Sequence, residues 1–385
     1  MDIRLVQRLP RIFLILIAAS ALLFLGLRFT LGGGTRLPDR TSAPALPASA
    51  LEVVANLDYP PGNIAVSKAG RVFFTLHPDG GPPNQVHELV GGKAVPYPNE
   101  ALQHPTGGAL GFQSVLALRI DRQDRLWALD YANYGRGQPR IVAFDLASNQ
   151  LVHQYDFPST MAGLLSMLND FQVDPQGRKI YIAEASPIRG TPAIIVYDTV
   201  EHSARRVLDG HPSVRSGDFM IQAPGRDMIA FGFYTLRIGI DSIALDTRGE
   251  WLYYGAVTAD RMYRVATNDL NDPSLSTAAL GARVQDFAAK TLSDGITMDV
   301  RDNIYLSDME HSAILTLAPD RTLKTILKDE RLRWPDGFSF GPDGWLYVTC
   351  SSLQHVLFIS KAHMRAHAPY QIFRFRPGTD GVPGQ

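Results

Sequence analysis

The chain has 385 residues, of which 45% are hydrophobic and 19% are charged, a composition that suits a globular protein with a large core. The 37 Lys and Arg residues balance 38 Asp and Glu residues, so the net charge of −1 gives no electrostatic basis for binding nucleic acid. The 33 Gly and 26 Pro residues favour many turns between short strands over a helical fold.

Residues 1–31 predict an export signal or a membrane anchor. Three arginines among the first 11 residues precede IFLILIAASALLFLGL (residues 12–27), a run of 16 uncharged and mostly apolar residues. Basic residues before such a run stay on the cytoplasmic side of the membrane. The run is long for a cleaved signal and short for a full span unless it extends to Leu31, and the cleavage-like Ala48-Ser49-Ala50 lies far downstream. The length favours an uncleaved anchor, and a cleaved signal stays the alternative.

The next segment, residues 32–50, is rich in Gly, Pro, Ser and Ala and predicts a flexible linker. The globular part therefore begins near Leu51, and we expect it outside the cytoplasmic membrane, in the periplasm or the extracellular space. Cys350 is the single cysteine, so the sequence has neither an internal disulfide nor a Cys-based zinc motif.

Six copies of one pattern follow in residues 51–377. Each copy has apolar residues two and four places after its first position, then a polar turn, then an apolar triplet with a central aromatic residue, which is typical of two strands joined by a turn. The first positions are Gly62, Leu116, Asn169, Asp241, Asp294 and Asp336, and the aromatics are Phe73, Trp127, Tyr181, Tyr253, Tyr305 and Tyr347. Two further strand-like stretches follow most copies, so one repeat has about four strands.

Four-stranded units repeated six times predict an all-β, six-bladed β-propeller over residues 51–377, followed by a short tail at 378–385. The stretch LEVVANL (residues 51–57) can add a strand to the last blade and close the ring. Residues 211–239 lie in the longest interval between copies and predict an insertion over one face.

The first positions of the copies are expected at the mouth of the central channel, because the innermost strand of each propeller blade lines that channel. The second strand returns to the same face and brings further polar residues there, namely Asp130, Glu184, Asp308, Glu310, His311 and Cys350. Clustered carboxylates repel one another unless they take up protons or bind a cation. Oxygen ligands suit a hard divalent ion, so the sequence predicts a calcium site. Its ligands would be Asn169, Asp241, Asp294 and Asp336.

Each of these four residues has an alternative role as a turn residue that caps its own backbone. Three residues are candidates for proton transfer: Asp294, His311 and Glu184. Four are candidates for substrate binding: Asp130, Asp308, Arg237 and His355. His311 and His355 are equally compatible with solvated positions on the rim of the mouth.

Two stretches, NDFQVDPQGRKIYIAEAS (169–186) and LSDGITMDVRDNIYLSD (292–308), resemble the senescence-marker-protein/gluconolactonase family. Three others, GNIAVSKAGRVFFTLHP, LALRIDRQDRLWALD and SIALDTRGEWLYYGAVTADRMYRV, resemble the Yellow and major royal jelly proteins, and this likeness extends over roughly residues 51–377. Both resemblances imply a propeller. The motifs recur in several propeller families, so they do not fix the function.

The lactonase resemblance implies a central metal held by a first-blade Glu, two Asn and an Asp. In this chain one Asn corresponds to Asn169, the other to Asp241, and the Asp to Asp294, while the Glu corresponds to Gly62, which has no side-chain ligand. Asp241 replaces a neutral Asn and so restores the charge that the missing Glu removes. Asp336 adds a further carboxylate on the sixth blade.

Two functions follow as expectations. One is a metal-dependent hydrolase of a lactone or similar ester, in which the ion polarises the carbonyl and activates water. The alternative, implied by the Yellow-type resemblance, is a non-catalytic protein that holds a small apolar or aromatic ligand. A scaffold for a protein partner has no specific sequence support. We expect a monomer that contacts the membrane only through its N-terminal segment and that binds no nucleic acid.

Overall fold

The repeated segments fold into six four-stranded antiparallel sheets, counted over the described residues. The computed structural model describes the backbone of residues 3–105 and 110–385, and the side chains of residues 13–105 and 110–385. The first strand of each sheet packs against the first strands of the sheets before and after it, and the sixth sheet returns to the first. This closed ring is the six-bladed β-propeller that the sequence predicts.

The blades follow the chain in order, with the innermost strand first. Blade 1 has strands Pro61–Val66, Val72–Leu76, Val86–Val90 and Lys93–Pro96, and blade 2 has Val115–Ile120, Arg125–Asp130, Arg140–Asp145 and Leu151–Asp156. Blade 3 has Leu168–Val173, Lys179–Glu184, Ala193–Asp198 and Ser203–Val207, and blade 4 has Ile240–Leu245, Trp251–Ala256, Arg261–Ala266 and Gln285–Ala289. Blade 5 has Ile296–Met298, Ile304–Asp308, Ala313–Leu317 and Leu323–Lys328, and blade 6 has Pro335–Phe340, Leu346–Cys350, Tyr370–Phe375 and Glu52–Leu57.

The helices in the described residues are short, apart from the first. The long helix, α1, spans Ile3–Leu31. The short α-helices are Glu100–Gln103, Ala132–Gly135, Thr267–Asn271, Thr277–Gly281 and Lys361–Ala366, and the 3-10 helices are Ala48–Ala50, Pro78–Gly80, Pro212–Val214, Pro342–Gly344 and Leu353–His355. All the short helices lie in connections between strands or before the first strand, so the propeller is built from strands alone.

The polar turn of the repeat is held by an aspartate. Asp121 accepts hydrogen bonds from the backbone N–H of Gln123 and of Arg125, and its second oxygen accepts from the indole of Trp127 at 2.7 Å. Asp246 and Asp299 bind the backbone of their own turns in the same way. The turn between the first two strands therefore depends on a side chain that replaces missing backbone partners.

The last blade takes its outer strand from the beginning of the globular part. Glu52–Leu57 pairs antiparallel with Tyr370–Phe375, as the sequence predicts for LEVVANL. Ala55 and Leu57 point from this strand into the hydrophobic core. The pairing joins two segments that are far apart in sequence, so the ring closes through hydrogen bonds between strands and without a covalent link.

The segment 32–50 lies along blades 4 and 5. The backbone N–H of Ala45 and of Leu46 donates to the outer strand of blade 5. Arg40 forms an ion pair with Asp260 at 3.0 Å and donates to the carbonyl of Lys290 at 2.7 Å. Composition predicts a flexible linker here, but these bonds tie the segment to the propeller and fix where α1 leaves it.

The C-terminal tail, residues 378–385, crosses the end of the channel opposite to the mouth. The carbonyl of Gln385 accepts from the N–H of Phe340, and the carbonyl of Gly384 accepts from the N–H of Ile120, each at 3.0 Å. Ile120 and Phe340 end the innermost strands of blades 2 and 6. The tail therefore covers this end of the channel.

Residues 211–239 lie between blades 3 and 4 and cover part of the other face. Besides a 3-10 turn they contain two small hairpins, Gln222–Ala223 with Arg226–Asp227 and Ile229–Ala230 with Tyr234–Thr235. Helix α1 packs against the second hairpin. Its segment Phe13–Leu31, with a mean hydropathy of 2.2, is long and apolar enough to cross a membrane.

We predict that Ala55→Asp opens the ring, because the new carboxylate would be buried opposite Ile372 without a partner. The expected loss in the free energy of unfolding is more than about 3 kcal/mol, measured by chemical denaturation. The neighbouring change Asn56→Asp adds the same charge at an exposed position and is the control. Equal losses in the two variants would contradict the closing role of this strand.

Candidate functional site

The mouth of the channel contains a cavity of about 700 Å³. Its floor carries the four predicted ligand residues, one from each of blades 3 to 6: Asn169, Asp241, Asp294 and Asp336. The structure therefore brings these side chains together in one cavity, although they are far apart in sequence.

A β-bulge at the start of the innermost strand accompanies this placement. Pairing with the second strand shifts register near the first position of the copy in blades 1, 2, 3, 4 and 6. Bulges re-aim side chains and leave backbone groups without a ladder partner. Hydroxyl groups of the second strand supply partners: Thr75 accepts from the N–H of Asn63, Ser307 from that of Gly295 and Thr349 from that of Gly337.

The floor side chains contact one another and one indole. The amide nitrogen of Asn169 donates to Asp241. Trp334 donates from its indole N–H to Oδ2 of Asp294 at 2.6 Å. The carboxyl groups of Asp241 and Asp294 face the same cavity and interact with each other.

Burial shifts the pKa of all three acids upward. It raises the pKa of Asp294 to about 6. Burial, and then the charge of Asp294, raise the pKa of Asp241 and of Asp336 well above the usual range. Desolvation and like charges both disfavour the ionised form. Near neutral pH the floor therefore retains protons where a cation would otherwise compensate the charge.

A buried ion pair lies beside this floor in the channel. Arg119, on the innermost strand of blade 2, is 1% exposed and contacts Asp170 of blade 3 at 2.7 Å and Asn63 of blade 1 at 2.7 Å. Asn63 also donates to Asp170. The pair is neutral as a whole, so it fixes blades 1 to 3 without neutralising the three acids of the floor.

The walls above the floor are mostly apolar and come from two irregular segments. The insertion contributes Phe231, Tyr234, Leu236 and Ile238, and the connection after the second strand of blade 6 contributes Leu353, Val356, Leu357, Phe358 and Ile359. Leu116, Met167 and Ile188 complete the apolar wall, and His77, Asp79, Tyr134 and Lys361 are the polar residues around it. The cavity therefore combines a polar floor with apolar walls, the usual design of a small-molecule site.

Four of the other predicted residues lie outside this cavity and have structural partners. Glu184 pairs with Arg206 at 2.9 Å. Asp130 accepts three backbone N–H bonds. Asp308 lies 3.0 Å from Nδ1 of His311, and this hydrogen bond raises the pKa of His311.

The last two predicted residues lie near the cavity but not on its floor. Arg237 donates to Asp218 and to the carbonyl of Gly33, and lines a separate cavity of about 430 Å³. His355 stands beside His363 and His367, and burial and these neighbours lower its pKa to about 4.

Sequence reasoning missed several residues of the site. His77 lines the cavity, accepts from the N–H of Asp79, and has its pKa lowered by burial. Lys290 is buried behind the floor, where desolvation lowers its pKa to about 7 and its charge lowers that of Asp294. Arg119 could have been recognised from the sequence, because it is a charged residue on a strand that is otherwise apolar. His77 and Lys290 lie in connections with no periodicity.

A family model described as Major royal jelly protein matches residues 113–359, more than half of the chain. Major royal jelly protein 3 of Apis mellifera is 24% identical over 220 residues, which are 53% of this chain and 38% of that protein. Major royal jelly protein 1 of the same species is 28% identical over 218 residues, 51% of this chain and 48% of that protein. The match thus spans less than half of either relative.

Three solved structures share the fold. A luciferin-regenerating enzyme aligns with a TM-score of 0.56 at 12% identity, over 87% of this chain and 97% of that one. Regucalcin of Agrobacterium tumefaciens, described as a calcium-binding protein, aligns with a TM-score of 0.54 at 17% identity, over 87% of this chain and 95% of that one. A gluconolactonase of Xanthomonas campestris aligns with a TM-score of 0.53 at 12% identity, over 89% of this chain and 97% of that one. At these identities the likeness shows the fold alone.

We predict that the three acids make the metal-free protein less stable as pH rises. The folded-state pKa of Asp294 is about 6 against an ordinary value of 3.8, so the folded state binds more protons and loses stability as pH rises through this window. Asp294→Asn removes this penalty. In chelator, the melting temperature of the variant minus that of the wild type should therefore increase as pH rises from about 4 to 7.

The control for this measurement is Asp227→Asn, which removes an exposed carboxylate of the insertion. Its melting temperature should stay parallel to that of the wild type over the same pH range. A constant difference between Asp294→Asn and the wild type would contradict the raised pKa.

Proposed function

The chain belongs to the major royal jelly protein family, and from the cavity at its channel mouth we propose that it is a metal-dependent hydrolase of a lactone or similar ester. The observation that carries the proposal is the convergence of three carboxyl groups and an amide beneath apolar walls. Hydrolysis of an ester needs a polar reacting centre and a place for the rest of the substrate, and this cavity offers both.

The donor set of the floor fits a hard divalent cation, calcium first. Asn169, Asp241, Asp294 and Asp336 would hold it through oxygen atoms, and the protons that the acids now retain would leave. Calcium takes six to eight oxygen ligands, so room remains for water and a substrate oxygen. When bound, the ion supplies polarisation of the carbonyl and activation of water. The fold neighbour described as a calcium-binding protein supports this choice.

Asp294 is the residue that we assign to proton transfer. Trp334 holds one of its oxygens, which orients the carboxyl group. A carboxylate held in this way can take up the proton that an attacking water loses. His311 and Glu184, the other candidates from the sequence, are occupied by Asp308 and Arg206 outside the cavity.

The apolar walls favour a substrate with an apolar substituent. The volume of about 700 Å³ is that of a cavity for a drug-sized molecule. Phe231 and Phe358 stand on opposite segments of the mouth with their ring centroids 5.2 Å apart. A small sugar lactone would leave this apolar surface unused, so we propose a more hydrophobic ester or lactone.

Non-catalytic binding of a small apolar molecule is the second candidate, and Gly62 favours it. A Cβ atom at Gly62 would lie 2.7 Å from Oγ1 of Thr75 and 3.0 Å from Cδ1 of Leu116. The backbone is packed so closely that blade 1 cannot supply the glutamate that the lactonase resemblance implies. Among the residues that the structure describes, the floor thus has its ligands on blades 3 to 6, and binding without turnover is compatible with it.

We further propose that the propeller works outside the cytoplasmic membrane, anchored by α1. The segment Phe13–Leu31 has 19 residues, which as a helix span close to the ~30 Å of a bilayer core. The three arginines at its N-terminal side favour a cytoplasmic start, and their side chains lie outside the described ones. A monomer that binds a small molecule, with no nucleic-acid partner, fits the balanced charge.

We predict that calcium raises the melting temperature of the wild type and not that of Asp241→Ala or Asp294→Ala. Loss of one carboxylate leaves too few oxygens for the ion. The double variant should lose no more of the calcium-dependent rise in melting temperature than either single variant does, because the two residues act as a unit. If instead they only cap turns, each loss would cost about 0.5–2 kcal/mol and the costs would add. The measurement is thermal unfolding in calcium and in chelator.

We predict that the wild type hydrolyses apolar lactones or aryl esters in calcium, and that Asp294→Asn lowers kcat at least a hundredfold. The expected size follows from removing a group that transfers a proton. Asp227→Asn is the matched control, since it also neutralises one acid but lies exposed in the insertion. A calcium-dependent thermal shift without hydrolysis of any ester would replace the hydrolase with the binding function.

A further inference from the structure

Three of the ten histidines meet beside the wall of the cavity. His355, His363 and His367 each offer a ring nitrogen, and the three nitrogens all lie within 4.8 Å of one another. We infer that these residues form a second metal site, which takes a divalent transition ion, zinc first, and which is separate from the carboxylate floor. Imidazole nitrogens suit zinc, copper and nickel, whereas calcium prefers oxygen.

The helix Lys361–Ala366 positions two of the ligands. His363 and His367 are four residues apart, so they lie on one face of this helical turn. Ser360 caps the helix by accepting from the N–H of His363. His355 approaches from the 3-10 turn Leu353–His355 and places its Nδ1 3.2 Å from Nε2 of His363.

The distances fit a tetrahedral ion. With metal–nitrogen bonds of about 2.0–2.1 Å, two ligand nitrogens are about 3.3 Å apart, close to the 3.2 Å between His355 and His363. His367 stacks on both rings, with centroid distances of 3.9 Å and 4.1 Å. Its ring would have to turn out of this stack for its nitrogen to face the same centre, and the fourth position would be open to water or another ligand.

One ligand already has the outer contact that metal-bound histidines show. Nδ1 of His367 lies 2.8 Å from the carbonyl oxygen of His363, so it carries the proton and donates. Its Nε2 is then unprotonated and available to a metal. Two arginines oppose a cation here, but both are engaged: Arg226 donates to the carbonyls of Gln354 and Leu357, and Arg333 donates to that of His367.

The site would connect metal binding to the shape of the cavity. Leu353, Val356 and Phe358 line the cavity wall from the same connection that carries His355. An ion shared by His355 and the helix Lys361–Ala366 would fix this wall in one position. Occupancy should therefore change how tightly the cavity holds its ligand.

The test is titration of the full chain with Co²⁺ and Zn²⁺ in detergent, with calcium present to saturate any oxygen site. We expect one equivalent of Co²⁺ to give the visible absorption of a tetrahedral nitrogen site, and zinc to displace it. His355→Ala, His363→Ala and His367→Ala should each weaken binding at least tenfold. His104→Ala removes an exposed histidine far from the cluster in sequence and should bind as the wild type does.

Two outcomes would overturn the proposal. One is a Co²⁺ affinity that all three histidine variants share with the wild type. The other is loss of the Co²⁺ signal in Asp294→Asn with the histidines intact, which would place the ion on the floor. If an alanine variant unfolds, judged by its melting temperature in chelator, His363→Gln and His367→Gln keep a polar side chain of similar size and give the same comparison.

A different observation, the exposed apolar rim of the mouth, carries a second inference. Phe231, Phe358 and Ile188 line the cavity and are 68%, 52% and 58% exposed. Phe231 also lies 6.2 Å from Phe233, measured between ring centroids. A contiguous exposed patch of this kind marks a surface that binds something apolar.

The contacts of helix α1 indicate what covers this rim. Phe24 of α1 contacts Phe233 with ring centroids 6.0 Å apart, and Gly232 lies beside the ring of Phe24. Phe24 is seven residues before Leu31, the end of the membrane-length segment, a distance of about 10 Å along a helix. We propose that the rim docks into the outer leaflet of a lipid bilayer and that the cavity opens towards it. This inference rests on the proposed membrane anchor.

The test places a polarity-sensitive fluorophore at introduced cysteines in the full chain, inserted into phosphatidylcholine vesicles. Cys350 is buried and should not label. A label at Phe231→Cys should be quenched by brominated lipid and shielded from aqueous iodide. Val200→Cys, exposed at a turn on the opposite face, should show the reverse.

A third label at Leu22→Cys, within α1, separates the two premises. Lipid quenching at Leu22 with iodide quenching at Phe231 would keep the anchor and overturn the docked rim. Iodide quenching at both positions would overturn the anchor, and the docked rim with it.

Discussion

The electrostatic cost of placing three carboxyl groups in one buried cavity is the constraint on which the mouth of this propeller depends. Asp241, Asp294 and Asp336 are desolvated and close together, so ionisation of all three is unfavourable without a compensating charge. The indole of Trp334 and the buried Lys290 lower the pKa of Asp294 and so reduce the cost only in part. If these positions served only as turns, uncharged turn residues would fill them without this electrostatic cost. A cation bound at the floor would displace the protons that the acids retain.

Hydrogen bonds between backbone and side-chain hydroxyl groups hold the innermost strands around the mouth in place. The bulges at the innermost strands free N–H groups that the sheet cannot pair, and second-strand hydroxyls accept from them while joining neighbouring blades. Thr75 donates to the carbonyl of Leu116, and Thr349 donates to that of Gly62 across the junction of blades 6 and 1. The ring is thus closed at two levels, by the outer strand of blade 6 and by these hydroxyls. The floor side chains consequently stand on a rigid frame, which a binding site needs.

The sequence predicted the fold and the position of the floor because both follow from one repeated pattern. Six aromatic residues, each 11 or 12 places after a strand start, fix the number of blades, and the strand starts of blades 3 to 6 lie on the floor. The walls could not be predicted, because Phe231 and Phe358 come from connections with no periodicity. Asp130 and Glu184 return to the correct face, but backbone N–H groups and Arg206 occupy them. The pair of His363 and His367 was visible from its spacing, whereas its meeting with His355 depends on how the connection folds.

The uneven distribution of charge around the mouth decides where a bound molecule can lie. Blades 3 to 6 contribute the amide and the three acids, whereas blades 1 and 2 contribute Gly62 and Leu116 at the same level. The side of blades 1 and 2 has no acidic group on the floor in the part of the chain that the structure describes, and Asp79, Tyr134 and His77 line the wall above it. A ligand oxygen directed at the floor therefore lies farther from the three floor acids on this side, while its apolar part faces the insertion and the blade 6 connection. Gly62 itself leaves no space for a side chain, because Thr75 and Leu116 occupy it, so the room for a larger and more apolar molecule comes from the irregular wall segments and not from the missing first-blade ligand.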